Sequence, residues 1–343
     1  MKRLFTLLLL CICLSAEAVS PSMPIQHDRQ RYQQWSNHLE NIVHPEENYL
    51  FYHEIHKNIS YYVNAYPGII RPFSIGKTVE NRTIWAFSIH NPMYETRHKI
   101  LVFAGLHPLE WVGMDATVSI IENLILHPPK HTEVVVIPVI NIDRRLLVEK
   151  DLLEKNRKYR RSNSGNEDLN REFEIHRDAT AIWRYLYPER YSVSSAPLSQ
   201  PESRAIDTLA KEYQFDASVS LHCFGGYIYY PWAGRYKRPP DWKELDTIAT
   251  YMKKAQSSKR PYRVKQLSHW MFLFRAQGTE LDHLYGKYGT KSFLIEIGRS
   301  GVELLDRETW HDPFRLYNPI DPSLDITRTT ESVLGLVRYY ENL

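Results

Sequence analysis

The segment GLHPLEWVG, residues 105–113, places a histidine and a glutamate three residues apart. His107 and Glu110 directly follow the apolar run KILVFAG, which is typical of a buried strand. Beyond the end of such a strand, two side chains can converge above the edge of a sheet. Imidazole and carboxylate groups both bind divalent metal ions. The position and spacing of the pair therefore predict half of a metal site, which needs a further ligand from elsewhere in the chain.

His222 can supply that ligand, because it ends the predicted strand ASVSLH just before Gly225 and Gly226. Catalytic zinc commonly takes three protein ligands with nitrogen and oxygen donors and keeps a fourth position for water. The alternative is a hydrogen-bonded core histidine, and the residue alone does not decide between the two. We expect one zinc ion per chain, bound by His107, Glu110 and His222.

Glu296 is a candidate general base. It lies inside the apolar strand SFLIEIG, between Ile295 and Ile297. Burial of an unpaired carboxylate is costly, so this glutamate has either an ion-pair partner or a catalytic task. We favour a base that removes a proton from zinc-activated water.

A long polar stretch, residues 143–201, carries the segments NRKYRRSN and EDLNREFE. Long loops of this kind in compact domains are usually functional. Its arginines could bind a carboxylate through a two-pronged guanidinium contact. The alternatives are a solvated basic run around Arg160 and a surface salt bridge at Asn170 and Arg171.

Short buried strands alternate with helices along most of the chain, which favours a single-domain α/β/α sandwich with a mixed, largely parallel central sheet. Two further strands surround a predicted turn at Glu80 and Asn81. The predicted buried strands are 99–105, 133–141, 217–222, 226–232 and 292–298, and the main helices are 113–126, 203–213, about 242–255 and about 328–341.

The N-terminus has the features of a secretory signal peptide at residues 1–18: two basic residues, an eleven-residue apolar run and small residues before the expected cleavage site. Residues 19–45 form a polar lead-in, and 46–343 the catalytic domain. The signal peptide predicts an exported protein, either periplasmic or secreted. Cleavage would leave Cys223 as the one cysteine, so we expect no intramolecular disulfide. The net charge of +3 does not favour nucleic-acid binding, and we expect a monomer that is not inserted in the membrane.

Five segments in the same order resemble the carboxypeptidase A-type zinc metallocarboxypeptidases. They are GLHPLEWVG, RKYRR, DLNREFE, SLHCFGGYIYYPW and GTELDHLYGKYGTKSFLIEIG, and the resemblance extends over about residues 46–343. It implies zinc bound by His107, Glu110 and His222, with Glu296 as the general base. It also implies that Arg160 polarises the scissile carbonyl, while Asn170 and Arg171 bind the free C-terminal carboxylate of a peptide.

The chain departs from the family pattern at two positions. Leu109 replaces an arginine of the pancreatic-type members, so upstream substrate binding should differ. Phe274 falls where many members have a mobile tyrosine, for which Tyr285 or Tyr288 could substitute. Leu281 falls near the floor of the specificity pocket, which would favour a hydrophobic or small C-terminal residue.

Three other functions remain open from the sequence. A peptidoglycan stem-peptide carboxypeptidase or amidase of the same fold fits an exported protein. An acyl-amino-acid deacylase usually has an additional β-rich domain. A metal-free binding module would have lost a ligand or the base, whereas all four positions are filled here.

Overall fold

A computed structural model describes residues 25–178, 185, 193–270, 274–302 and 309–343. The helices are α1 (Ile25–Ser36), α2 (Tyr52–Ala65), α3 (Trp111–Leu126), α4 (Ile142–Leu153), α5 (Pro201–Tyr213), α6 (Trp242–Lys254), α7 (Glu280–Tyr288), α8 (Pro313–Tyr317) and α9 (Ser323–Glu341). The strands are β1 (Ile70–Lys77), β2 (Thr83–Ile89), β3 (His98–Ala104), β4 (Thr132–Ile137), β5 (Ala217–Cys223), β6 (Tyr227–Tyr230), β7 (Arg263–Gln266) and β8 (Lys291–Ile297).

The strands form one eight-stranded sheet in the order β1-β2-β4-β3-β5-β8-β6-β7. The four pairs β3–β4, β3–β5, β5–β8 and β6–β7 are parallel. The pairs β1–β2, β2–β4 and β6–β8 are antiparallel. The predicted mixed sheet with a parallel centre is confirmed, and its central strands are buried along most of their length.

Helices cover both faces of the sheet. Helix α3 approaches β5 where Gly113 meets Leu221, and a Cβ on this glycine would lie 3.0 Å from the leucine Cβ. Helix α7 approaches β5 from the other side, where Glu280 contacts Ser220. Because successive strand residues point to opposite faces, α3 and α7 lie in different layers. This three-layer arrangement is the predicted α/β/α sandwich.

Helix α1 lies within the segment that the sequence suggested to be a weakly defined lead-in. Tyr32 is fully buried, and its ring contacts those of Trp85 and Phe87 on β2 edge-on at 5.1 Å in both cases. This part of the lead-in therefore covers the sheet. The predicted signal peptide lies outside the described residues and stays a prediction. No helix within the described ranges combines the length and apolarity needed to cross a bilayer.

Helix α4 occupies the start of the stretch that the sequence suggested to be a long loop. Its buried side carries charged groups, so the usual apolar periodicity is weak. Arg145 donates a hydrogen bond to Glu149, and its guanidinium carbon lies 3.2 Å from the ring centroid of Trp111. Internal ion pairing thus replaces part of the apolar face by which a helix is recognised in a sequence.

Candidate metal centre and active-site cavity

The candidate ligands meet at the carboxyl ends of the parallel strands β3 and β5. The chain turns at Gly105, which follows β3 with φ of +73°, a conformation that few side chains tolerate. His107 and Glu110 come from this turn, and Glu110 directly precedes α3. His222, near the end of β5, pairs in register with Glu296 of β8. Strand order therefore brings together side chains that are far apart in the sequence.

The donor atoms of His107, Glu110 and His222 lie within 4.8 Å of one another. Nδ1 of His107 is 2.8 Å from Oε1 of Glu110, and Nδ1 of His222 is 3.0 Å from Oε2. The two Nδ1 atoms are 3.2 Å apart. Two ligands of a tetrahedral zinc ion are separated by about 3.3 Å, as expected from metal–ligand distances of about 2.0–2.1 Å. The three residues therefore fit the donor set and the spacing of a zinc site.

The charges of this cluster favour a bound cation. Although burial opposes the charged form, the imidazoles of His107 and His222 lower the pKa of Glu110 below its ordinary range. Burial also opposes protonation of His222, but Glu110 and Glu280 raise the pKa of that imidazole to about 10. An excess of carboxylates in a buried site is the electrostatic setting in which a divalent ion binds well.

Each of the two candidate histidine ligands also lies close to a second carboxylate, which faces its Nε2 atom. Nε2 of His107 lies 3.0 Å from Oδ1 of Asp168, and Nε2 of His222 lies 3.3 Å from Oε1 of Glu280. Metal-binding histidines commonly contact such a group with the ring nitrogen that does not bind the metal. Both carboxylates are buried, and the sequence analysis assigned a role to neither of them.

The ligand segment is also fixed from outside the sheet. Nδ2 of the buried Asn318 donates to the carbonyl of Leu109 at 2.7 Å, and its Oδ1 accepts from the amide of Trp111 at 3.0 Å. These contacts hold the backbone on both sides of Glu110. Leu109 itself is buried, so this position does not present a charged group to a ligand.

Glu296 lines the same cavity as the three candidate ligands. Burial, together with the negative charge of Glu110, raises its pKa to about 8. A metal cation nearby would favour the ionised form, as the positive charges of His222 and Arg161 do. The carboxyl group can therefore exchange a proton in the neutral range, which suits a general base.

The cavity has a volume of about 380 Å³ and is lined by polar groups on the metal side and by aromatic rings elsewhere. Arg161 lines it, and its Nε donates to Oδ2 of Asp168 at 2.7 Å. Arg160, expected at this place from the sequence, instead forms an ion pair with Asp151 and does not belong to the lining. The adjacent basic residues diverge because consecutive side chains of the extended segment point in different directions.

Asn170 and Arg171 also line the cavity, and both side chains are buried. Oδ1 of Asn170 accepts from the backbone amide of Glu280 at 3.2 Å. Gly278 approaches the backbone of Arg171 so closely that a Cβ there would lie 2.9 Å from its carbonyl oxygen, and its φ is +56°. The segment before α7 thus positions both residues, which are not the surface salt bridge considered as an alternative.

An apolar part of the cavity is bounded by Tyr229, Leu267, Ala276 and Leu294. Leu281 belongs to the same buried cluster but lies behind these lining residues. The expected specificity pocket is therefore apolar on this side, with Leu281 in its supporting layer.

Phe274 lines the cavity, and its ring contacts Trp270 edge-on at 5.1 Å. The two tyrosines considered as substitutes for the family tyrosine lie elsewhere. The hydroxyl of Tyr285 donates to Asp241, and that of Tyr288 donates to Asp207 at 2.6 Å. Neither of them lines the cavity.

Sequence reasoning assigned no role to Arg161, Asp168, Glu280 and Asn318. Asp168 stands two residues before Asn170 within the segment DLNREFE, so its proximity to the site could have been found. Glu280 is the first residue of a helix that the sequence analysis did not predict. Asn318 is more than 200 residues from the backbone that it holds, and no local pattern marks it.

Comparison with known proteins places this site in a family. The family model described as zinc carboxypeptidase matches residues 55–312, which is most of the chain. The chain belongs to the zinc carboxypeptidase family. The three candidate ligands and the residues that line the cavity lie within this range, except for Tyr317, which also lines the cavity; Asn318 lies outside the range as well.

Individual relatives are distant. Carboxypeptidase B2 of Rattus norvegicus is 25% identical over 288 residues, which cover 76% of this chain and 66% of the rat protein. Carboxypeptidase B of Astacus astacus is 24% identical over 263 residues, covering 73% of this chain and 86% of that protein. The chain thus spans slightly less than two thirds of the rat protein.

A solved structure has the same fold. Bovine thrombin-activatable fibrinolysis inhibitor, in complex with tick carboxypeptidase inhibitor, superposes with a TM-score of 0.70 at 19% identity. The match covers 87% of this chain and 99% of the bovine chain. A metallo-carboxypeptidase from Burkholderia cenocepacia matches with a TM-score of 0.55 at 14% identity, over 83% of this chain and 69% of that one.

Proposed function

We propose that the chain is a zinc-dependent metallocarboxypeptidase that hydrolyses the C-terminal peptide bond of peptides. The observation that carries this proposal is the convergence of three metal-binding side chains, a buried carboxylate and a buried arginine on one cavity. These residues are His107, Glu110, His222, Glu296 and Arg171. A metal-free binding module would not need three metal-binding side chains beside a buried, cavity-lining carboxylate.

His107, Glu110 and His222 would hold the zinc ion. Zinc, when bound, lowers the pKa of a coordinated water and polarises the carbonyl of the scissile bond. Glu296 accepts the proton of the attacking water and then delivers it to the leaving amine. Burial raises the pKa of Glu296 to about 8 without metal, and a bound cation would lower it, so that the ionised carboxylate is available as a base near neutral pH.

Arg161 stabilises the negative charge that develops on the carbonyl oxygen. This assignment replaces Arg160, because Arg161 lines the cavity and Arg160 is paired with Asp151. The ion pair with Asp168 fixes the guanidinium before substrate binds, so little reorganisation accompanies the reaction.

Asn170 and Arg171 bind the free carboxylate at the end of the substrate. Arg171 provides the positive charge and parallel N–H donors that a carboxylate accepts. The side-chain oxygen Oδ1 of Asn170 already accepts a hydrogen bond from the backbone amide of Glu280, which leaves the side-chain NH2 group to donate to the substrate. An anion-binding site at this position favours substrates with a free C-terminal carboxylate and disfavours cleavage of internal peptide bonds.

The apolar part of the cavity accommodates the C-terminal side chain. Tyr229 of β6 and Leu294 of β8 are paired in register, and both line this part. Leu281 supports these residues from behind. We therefore expect a preference for hydrophobic or small C-terminal residues, since a charged side chain would be buried there without a partner.

The decisive experiment is hydrolysis of blocked dipeptides that differ in the C-terminal residue, with and without a zinc chelator. Release of the terminal amino acid, its loss on chelation and its recovery with added zinc would support the proposal. Muropeptides with free stem-peptide ends form the second arm. Turnover of muropeptides alone would contradict a general peptide substrate and favour the cell-wall alternative.

A leader at residues 1–18 predicts export and is tested separately by N-terminal sequencing of the mature protein.

A further inference from the structure

We propose that Glu280 is a positioning residue that orients His222 for zinc binding. The inference rests on the zinc site of the proposed function and assigns a role to a residue outside the ligand set. Oε1 of Glu280 lies 3.3 Å from Nε2 of His222, while Nδ1 on the other side of the same ring faces Glu110. The ring therefore lies between two carboxylates, one of which contacts the metal position.

The glutamate is itself held in place. Ser220 donates a hydrogen bond of 2.6 Å to Oε1 of Glu280, and Ser220 and His222 project from the same face of β5. Glu280 is the first residue of α7, where the helix dipole stabilises a negative charge. The carboxylate is thus held by a hydrogen bond from a strand and by its place at the start of a helix.

Burial of this carboxylate calls for a reason. Glu280 is 1% exposed, and its Oε2 has no hydrogen-bond partner within the described part of the chain. A buried carboxylate with an unsatisfied oxygen is destabilising unless a nearby group uses its charge. Here that group is the His222 imidazole, whose Nε2 lies within ion-pair distance of Oε1 but makes no hydrogen bond of regular geometry within the described part of the chain. The charge of Glu280 favours a proton on Nε2, which leaves Nδ1 free to bind zinc.

Glu280 also connects the metal centre to the substrate-binding residues. Its backbone amide donates to Oδ1 of Asn170 at 3.2 Å. The start of α7 thus aligns a zinc ligand through the side chain and a carboxylate-binding residue through the backbone. Substitution of the side chain should disturb the metal site and spare the contact to Asn170.

The test is the dissociation constant for zinc of the full mature chain, measured by competition with a chelator. Glu280→Gln keeps the shape and the hydrogen bond from Ser220 but removes the charge. We expect zinc binding about 10- to 100-fold weaker, and a changed visible absorption spectrum of the cobalt-loaded protein. Glu202→Gln is the matched control, because Glu202 is also buried in the first turn of a helix and bonds to Asn163, away from the metal centre.

A zinc dissociation constant of Glu280→Gln within twofold of the wild-type value would overturn the assignment. Equal weakening in Glu202→Gln would overturn it as well, since the effect would then be general loosening. If Glu280→Gln does not fold, Ser220→Ala decides, because it removes the hydrogen bond that orients Oε1: weaker zinc binding supports the role and an unchanged affinity refutes it. Wild-type protein that binds zinc but cleaves no peptide would contradict the proposed function alone.

Discussion

Arg161 donates from Nε to Oδ2 of Asp168 at 2.7 Å, while the other oxygen of this carboxylate lies 3.0 Å from Nε2 of His107. One buried carboxylate thus links a candidate zinc ligand to an arginine that lines the cavity. Although burial raises it, the guanidinium of Arg161 and the imidazole of His107 hold the pKa of Asp168 well below its usual range. The charged carboxylate can therefore fix both groups at any pH at which the protein functions.

The ion pair with Asp168 distinguishes Arg161 from its neighbour Arg160, and the two should differ in their effect on catalysis. Arg161→Ala should lower kcat about 10²- to 10³-fold, the usual loss when a donor to a developing oxyanion is removed. Arg160→Ala is the matched control and should change kcat less than threefold, because Arg160 is paired with Asp151 outside the cavity. Steady-state kinetics on one blocked dipeptide compares them. The opposite order of effects would return the oxyanion role to Arg160.

Glu296→Gln should bind zinc normally and lose most of its turnover. The substitution removes the proton acceptor but preserves the size of the side chain, and general bases commonly contribute about 10²- to 10⁴-fold. Metal content by elemental analysis and kcat on the same preparation are the measurements. A variant that retains more than a tenth of the wild-type kcat would contradict the base assignment.

Arg171→Ala should discriminate between two substrates that differ only at the chain end. The kcat/KM for a dipeptide with a free carboxylate should fall about 10- to 100-fold, as expected for the loss of one or two charge-assisted hydrogen bonds. The corresponding C-terminal amide, which carries no charge there, should be cleaved slowly and equally by both proteins. Equal losses on the two substrates would argue against a carboxylate-binding role.

Leu294→Ala should enlarge the apolar part of the cavity. We expect kcat/KM for a C-terminal phenylalanine, relative to alanine, to rise about tenfold, in the range that one pocket contact provides. Leu281→Ala, a substitution of the same size one layer behind, should produce a smaller change in this ratio. If neither variant alters the ratio, the C-terminal side chain binds elsewhere.

Asp115 should make the stability of the fold depend on pH. Burial raises the pKa of this carboxyl to about 7, against about 3.9 in the unfolded chain. The folded protein therefore binds more protons between about pH 4 and 7, and the free energy of unfolding falls as the pH rises through this window. Asp115→Asn lacks this loss and should gain about 2 kcal/mol relative to the wild type between pH 5 and pH 8.

Chemical denaturation of the zinc-free proteins at both pH values measures this difference. Glu212→Gln on the exposed side of α5 is the control and should show no such change. A difference between Asp115→Asn and the wild type that stays constant with pH would show that Asp115 is ionised throughout the range in the folded state.

Much of the fold and of the metal site was determined by local patterns in the sequence. Strand β3 has an uninterrupted apolar run, β8 has one interrupted by Glu296, and β5 alternates apolar residues with serines; these patterns indicated strands. The position of a residue relative to such a strand mattered more than its spacing. His44 and Glu47 have the same spacing as His107 and Glu110, but no strand precedes them, and His44 is paired with Glu54 instead.

Only the tertiary structure shows which side chains contact the metal ligands from other parts of the chain. Residues 160 and 161 are both arginines, and their different ion-pair partners, Asp151 and Asp168, distinguish them. Glu280 lies in a segment that resembles the family, but no pattern assigned it a contact with His222, and Asn318 lies in a segment without any motif. A sequence encodes strands through side-chain periodicity, whereas contacts between remote segments depend on how layers pack. The ligands could therefore be predicted from the chain, and the proximity of Asp168 could have been, whereas the contacts of Glu280 and Asn318 could not.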